Sequence, residues 1–107
     1  MVFQIGKVLL DACVLSQLAK EDTYGYVLTQ NMKEIIQISE STLYPVLRRL
    51  QKDEFLTTYD KSFQGRNRRY YKITKLGKEK LEEYKEDWIE FKEKLDKILG
   101  KENEKYE

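Results

Sequence analysis

The residues best equipped for chemistry in this 107-residue chain are its five arginines. Arg48, Arg49, Arg66, Arg68 and Arg69 all fall between positions 48 and 69. A guanidinium presents a flat fork of donors that fits phosphate oxygens and the guanine edge, so clustered arginines point to nucleic acid. Other chemistries lack their parts. The chain has no His and a single Cys, Cys13, so no Ser-His or Cys-His pair can form and the usual zinc-ligand sets are absent. There is no Walker loop and no glycine-rich dinucleotide fingerprint. Catalysis would have to rest on carboxylates, Lys or Tyr alone. Neither an enzyme nor a cofactor is expected.

Bulk charge hides this centre. The balance is 20 Lys+Arg against 19 Asp+Glu, net +1, yet residues 1–40 carry −2, residues 41–74 carry +5 and residues 75–107 carry −2. Charged residues make up 36% of the chain, but Gly and Pro number only 5 and 1, too few for a disordered tail. No apolar run approaches the ~20 residues of a membrane span, and no basic-then-apolar start marks a signal peptide. The lone Cys cannot close an internal disulfide and fits a reducing cytoplasm. Cys13 reads as a small buried hydrophobe.

Hydrophobic periodicity supplies the elements that must hold the arginines. From Val2 to Leu18, Phe3, Ile5, Val8, Leu9, Ala12, Leu15 and Leu18 recur at helical steps, widened by Cys13 and Val14. Thr23 is expected to cap a second helix over Tyr24–Ile36, with Gly25 permitting close packing. Ser39-Glu40-Ser41-Thr42 starts a third helix reaching about Glu54, its core face Leu43, Val46, Leu47 and Leu50. Pro45 sits early enough in it to be tolerated. Phe55–Asp60 and Arg69–Thr74 read as strands of a hairpin, with Lys61 to Arg68 as a basic loop. Thr74 then caps a final helix of roughly 25 residues, about 37 Å long.

That order describes a mainly α protein with a small β-hairpin: a winged helix-turn-helix over residues 1–74 and a long helix with a frayed tail over 75–107, forming one compact domain. In a helix-turn-helix the second helix of the motif enters the major groove by its N-terminal residues. Here those are Ser41, Thr42 and Tyr44, with Arg48 a turn on and Lys52 beyond. Tyr44 has packing against the second helix as its alternative role, and Arg49 has pairing with an acid. Lys61, Arg66 and Arg68 would reach phosphates from the wing.

Three segments carry a family resemblance. Thr23-Tyr24-Gly25-Tyr26, the helix start Ser41-Thr42-Leu43-Tyr44-Pro45 and the wing Gly65-Arg66-Asn67-Arg68-Arg69-Tyr70-Tyr71 together resemble the PadR family of bacterial transcriptional regulators. Asn67 departs from the Pro common at that place in the wing. The resemblance implies a dimeric repressor on an inverted-repeat operator. The length resembles the subfamily with one C-terminal helix, which packs on the first helix of the partner subunit. Some members hold flat aromatic compounds at the dimer centre between paired tryptophans, and Trp88 occupies the matching place.

The final helix supports that implication by its own pattern. Leu81, Tyr84, Trp88, Phe91, Leu95 and Ile98 are spaced as a heptad seam, expected to dimerise because a small three-helix core would leave it wet. The effector expected from the resemblance is a planar aromatic or phenolic compound, held by Trp88 and Tyr84 with Val8, Ala12 and Ser16 from the first helix. The rival reading is a winged-helix protein-interaction module without its own operator or ligand.

Overall fold

A computed structural model describes residues 6–100. Val2, Phe3 and Ile5 of the expected first helix, and the expected frayed end at 101–107, lie outside the described residues. The elements run α1 (Lys7–Lys20), β1 (Thr23–Tyr24), α2 (Gly25–Lys33), α3 (Glu40–Lys52), β2 (Leu56–Phe63), β3 (Arg66–Ile73) and α4 (Lys75–Leu99). The protein is mainly helical, with a winged helix-turn-helix body and a long last helix.

The core forms where the stripes of α1, α2 and α3 meet. Val14, Leu15, Leu28, Leu43 and Leu47 are fully buried there, and Leu56, Tyr71 and Ile73 close it from the sheet. Each fully buried Leu stabilises the fold by roughly 1.5–3 kcal/mol relative to an exposed one. Ser39 caps α3, accepting from the Thr42 N–H at 3.3 Å. Pro45 lies at the sixth position of α3 and has no N–H, so the Ser41 carbonyl lacks its usual partner on the exposed face.

Thr74 ties three elements together. Its hydroxyl accepts from the Gly77 N–H at 2.9 Å and donates to the Glu54 carbonyl at 2.7 Å, while its N–H donates to the Phe55 carbonyl at 3.0 Å. Gly77 lies so close to that strand end that a methyl there would fall 2.8 Å from Ile73 Cγ1 and inside contact distance of the Phe55 carbonyl oxygen. The N-terminal end of α4 is thereby fixed to the body.

Four expectations needed correction. Thr23 and Tyr24 form a short third strand rather than a cap and a helix start; the sheet order is β1-β3-β2, all antiparallel. Pairing of Thr23 with Tyr71 and of Tyr24 with Tyr70 outweighs capping at Thr23. Next, α2 ends at Lys33, where the Met32 carbonyl receives the N–H of both Ile35 and Ile36, a tightened last turn. The α3 helix stops at Lys52, and Glu54 takes a left-handed conformation with φ 67°. Finally, residues 61–68 are not an open loop. The ladder continues through Lys61–Arg68, Ser62–Asn67 and Phe63–Arg66 to a two-residue turn. Gln64 and Gly65 adopt φ 50° and 78°, the geometry whose twist matches paired strands, and so polar residues stay in register to the tip.

Candidate nucleic-acid interface

The exposed face of α3 and the near side of the wing enclose an open cleft of about 550 Å³. Tyr44, Arg48, Asn67, Arg68 and Arg69 line it, as do Tyr24 and Tyr26. Three arginines from two elements thus converge on one concave surface. Asp60 supplies the cleft's single acid, and it reaches Arg69 only at 3.9 Å between two exposed side chains, a contact of little worth.

Individual side chains are held differently. Arg48 is exposed on α3, pointing from the helix face opposite Leu43 and Leu47. Arg68 is half-buried: its guanidinium stacks 4.6 Å from the Tyr24 ring and 5.4 Å from the Phe63 ring. Its Nε is buried and has no hydrogen-bond partner among the described residues. Aromatic faces, not acids, hold this cation in place, which leaves its outer nitrogens for an external anion. Arg66 stands exposed at the wing tip, and Lys61 lies 5.4 Å over the Tyr70 ring.

At the start of α3, Ser41 and Thr42 are exposed, their hydroxyls drawn to the Ser39 hydroxyl at 2.9 and 3.1 Å. Tyr44 packs its ring against Gly25, so tightly that a methyl there would lie 2.6 Å from the Tyr44 oxygen. The Tyr44 hydroxyl donates to Glu40 at 3.1 Å. Burial pushes its pKa up and the Glu40 hydrogen bond adds to this, so it stays a protonated donor. Tyr44 thus packs on α2, the alternative weighed for it, and it also lines the cleft. Lys52 is exposed at the end of α3, away from the cleft lining.

Sequence reasoning missed Arg69, Tyr26 and Asn67 as cleft residues. The alternation along β3 carries the signal for two of them, since Asn67 and Arg69 share a strand face with the buried Tyr71 and Ile73. Arg49, by contrast, turns inward and pairs with Asp11 of α1. Burial pushes the Asp11 carboxyl up, and the Arg49 guanidinium draws it back only in part.

A second concavity lies between α1, α2 and α4. This groove, of about 500 Å³, is mostly apolar and is lined by Ala12, Ser16, Met32, Ile36, Tyr84 and Trp88 among others. Four of the five expected effector residues therefore meet. Val8 does not. Each four-residue step along a helix rotates about 40° further round it, which carries Val8 off the groove into a smaller polar cavity of about 350 Å³ beside Asp11 and Arg49. Cys13 also lines the groove, half-buried, and burial pushes its thiol pKa up, as suits an unreactive packing residue.

The seam of α4 divides. Leu81 is buried in the protomer's own core and is not free for a partner, because the α4 start docks against α1. Trp88, Phe91, Leu95 and Ile98 are exposed, at 43%, 56%, 36% and 74%. Ile89 and Leu99 add apolar surface off the heptad pattern.

A family model described as the transcriptional regulator PadR-like family matches residues 14–83, from the middle of α1 into α4. The chain belongs to this PadR-like family. A protein of Streptococcus mutans with a solved structure is 38% identical, covers 92% of both chains and superposes with a TM-score of 0.85. A PadR family transcription regulator of Clostridium difficile is 31% identical over 85% of this chain and 98% of its own, with a TM-score of 0.79. A transcriptional regulator of Mycobacterium tuberculosis is 35% identical over 65% of this chain and 66% of its own.

PadR-like proteins are transcriptional regulators that bind DNA, and not enzymes. Among the described residues no group of His, Cys, Asp and Glu is arranged to hold a metal ion, and no helix is long and apolar enough to cross a membrane.

Proposed function

We propose that this PadR-like regulator is a dimeric cytoplasmic repressor that reads an inverted-repeat operator. Residues 1–74 contact DNA, residues 75–107 join two copies, and a planar aromatic or phenolic ligand in the central groove releases the operator. The cleft between α3 and the wing carries the DNA reading, because Arg48, Arg68 and Arg69 converge there around one weakly engaged acid. In this arrangement Ser41, Thr42 and Arg48 face base edges. Arg66, Arg68, Lys61 and Lys52 neutralise phosphates, and their contribution falls with salt.

The half-covered α4 supports the dimer. A two-fold partner covers Trp88, Phe91, Leu95 and Ile98 with the same surface. The same axis sets two recognition helices about 34–36 Å apart, one turn of DNA. Ligand release needs only a ligand that binds two dimer shapes with different affinity. Trp88 and Tyr84, on one wall of the apolar groove, supply ring faces for such a ligand.

Fluorescence anisotropy against the protein's own promoter region tests the core of this proposal. Arg48→Ala and Arg66→Ala should each weaken binding, and wild-type affinity should fall with salt. Equal binding in all three, independent of salt, would falsify the DNA role and leave a protein-interaction module as the reading. Planar aromatic compounds should quench Trp88 and change operator affinity; a panel without effect on either removes ligand sensing alone.

A further inference from the structure

Between the apolar groove and the recognition helix stands α1, and its two sides carry different chemistry. Leu9, Ala12, Cys13 and Ser16 line the groove on one side. Asp11 projects from the helix about 150° away from the middle of that set, at 100° per residue. It is 5% exposed and grips Arg49, the residue adjoining Arg48 on α3. A second wall makes the same connection. Tyr84 of α4 lines the groove beside Trp88, and it also lines the small polar cavity that holds Asp11, Arg49 and Lys80.

We infer that Asp11 is a positioning residue that couples the groove to the recognition helix through its ion pair with Arg49. The inference rests on reading the groove as the effector site and the α3–wing cleft as the DNA site. A charged fork on a nearly buried carboxylate ties α3 to α1 more specifically than apolar packing does. It fixes direction as well as distance, and losing it leaves a buried charge without its partner.

The groups facing Asp11 support a structural tie rather than a surface contact. Lys7 comes from its own helix, Asp53 from the end of α3 and Tyr84 from α4, with Lys80 lying 5.2 Å over the Tyr84 ring. Trp88 and Tyr84 on the groove wall, Asp11 and Arg49 in the small cavity that Tyr84 also lines, and Arg48 next along α3 thus span three helices. A displacement of α1 by an occupied groove reaches Arg48 through them, and by linkage DNA at Arg48 must report back to the groove.

That reciprocity allows a test without knowing the effector. Trp88 is the chain's single tryptophan, so its emission reads the groove wall alone. The full-length protein is titrated with a duplex of its own promoter region while DNA anisotropy and Trp88 emission are followed together. Wild type should bind and shift its emission as DNA saturates. Asp11→Asn, which keeps shape and removes charge, should still bind DNA as a dimer by light scattering but lose the emission shift. Asp11→Glu should restore it. Arg49→Lys, which keeps the cation without the fork, should lose it too, and it carries the test if Asp11→Asn fails to fold. A wild-type protein that binds DNA without any Trp88 shift overturns the coupling. So does a full shift in Asp11→Asn or Arg49→Lys. No anisotropy rise in the wild type removes the DNA reading itself, and the coupling with it.

Discussion

The two ends of α4 share one pattern of apolar spacing and have opposite surroundings. At its start, Gly77 and Leu81 are buried against α1 and the strand end at Phe55, and the Thr74 cap locks the helix in place. From Trp88 onward the same stripe is exposed, Ile98 most of all at 74%. A heptad seam states that a helix has a partner along its length; it does not say whose surface the partner is. Here the first turns are claimed by the protomer, and the later turns stay exposed as the surface proposed for a second copy.

The sharpest way to break that division is to charge the outer half. Phe91→Glu with Leu95→Glu should give a monomer by light scattering. Operator binding should then drop by roughly 10²–10⁴-fold, the range lost when two linked sites act singly. Retention of a dimer with tight binding would place the interface elsewhere. The converse variant is Leu81→Ala, in the inner half. It should lower stability by about 2–5 kcal/mol in urea denaturation at fixed protein concentration, as a buried-Leu truncation does. The dimer should persist in this variant under native conditions. A Leu81→Ala protein that dissociates before it unfolds would show that the two halves are not separable.

The difference between those halves also marks what the sequence could disclose. The three core helices were legible because each places leucines or valines at helical steps and ends on polar or turn-forming residues. Thr74 was recognisable as a cap by residue type and position, whereas Ser39 stood only as one of a run of polar residues at the start of α3. The short strand at Thr23–Tyr24 was not legible, since two residues carry no periodicity and its partner lies at Tyr70–Tyr71, far along the chain. Leu81 was misplaced for the same reason: local spacing cannot distinguish a core neighbour from a partner subunit. Of the candidate DNA face, Arg48 and the wing arginines were visible as a charge cluster. Their separate roles were not, because those depend on the Tyr24 and Phe63 rings that meet Arg68 only in the folded wing.

A second contrast runs within the arginine cluster, between the exposed Arg48 and the paired Arg49. Arg48→Ala should cost about 1–3 kcal/mol of operator affinity, on the order of 5- to 150-fold, and should relax sequence preference. Anisotropy on operator and scrambled duplexes separates the two effects. An equal loss on both would make Arg48 a phosphate contact rather than a reader of bases.

The smallest expected effects distinguish Arg66 from Arg68, two wing cations of the same type held in different ways. Arg66 has an exposed side chain at the tip, so Arg66→Ala should reduce the slope of log affinity against log salt by about 1 and leave the fold unchanged. Arg68 is seated between Tyr24 and Phe63, where cation–π contact is worth about 0.5–1 kcal/mol for a partly exposed site. Arg68→Lys keeps the charge and loses the flat face that stacks on both rings. The salt slope of Arg68→Lys should therefore stay at the wild-type value while affinity falls a few-fold and the wing loosens, seen as faster amide exchange along β2 and β3. If Arg68→Lys matches wild type in both affinity and exchange, charge alone is what the wing requires of that position, and the aromatic seat is incidental to DNA binding.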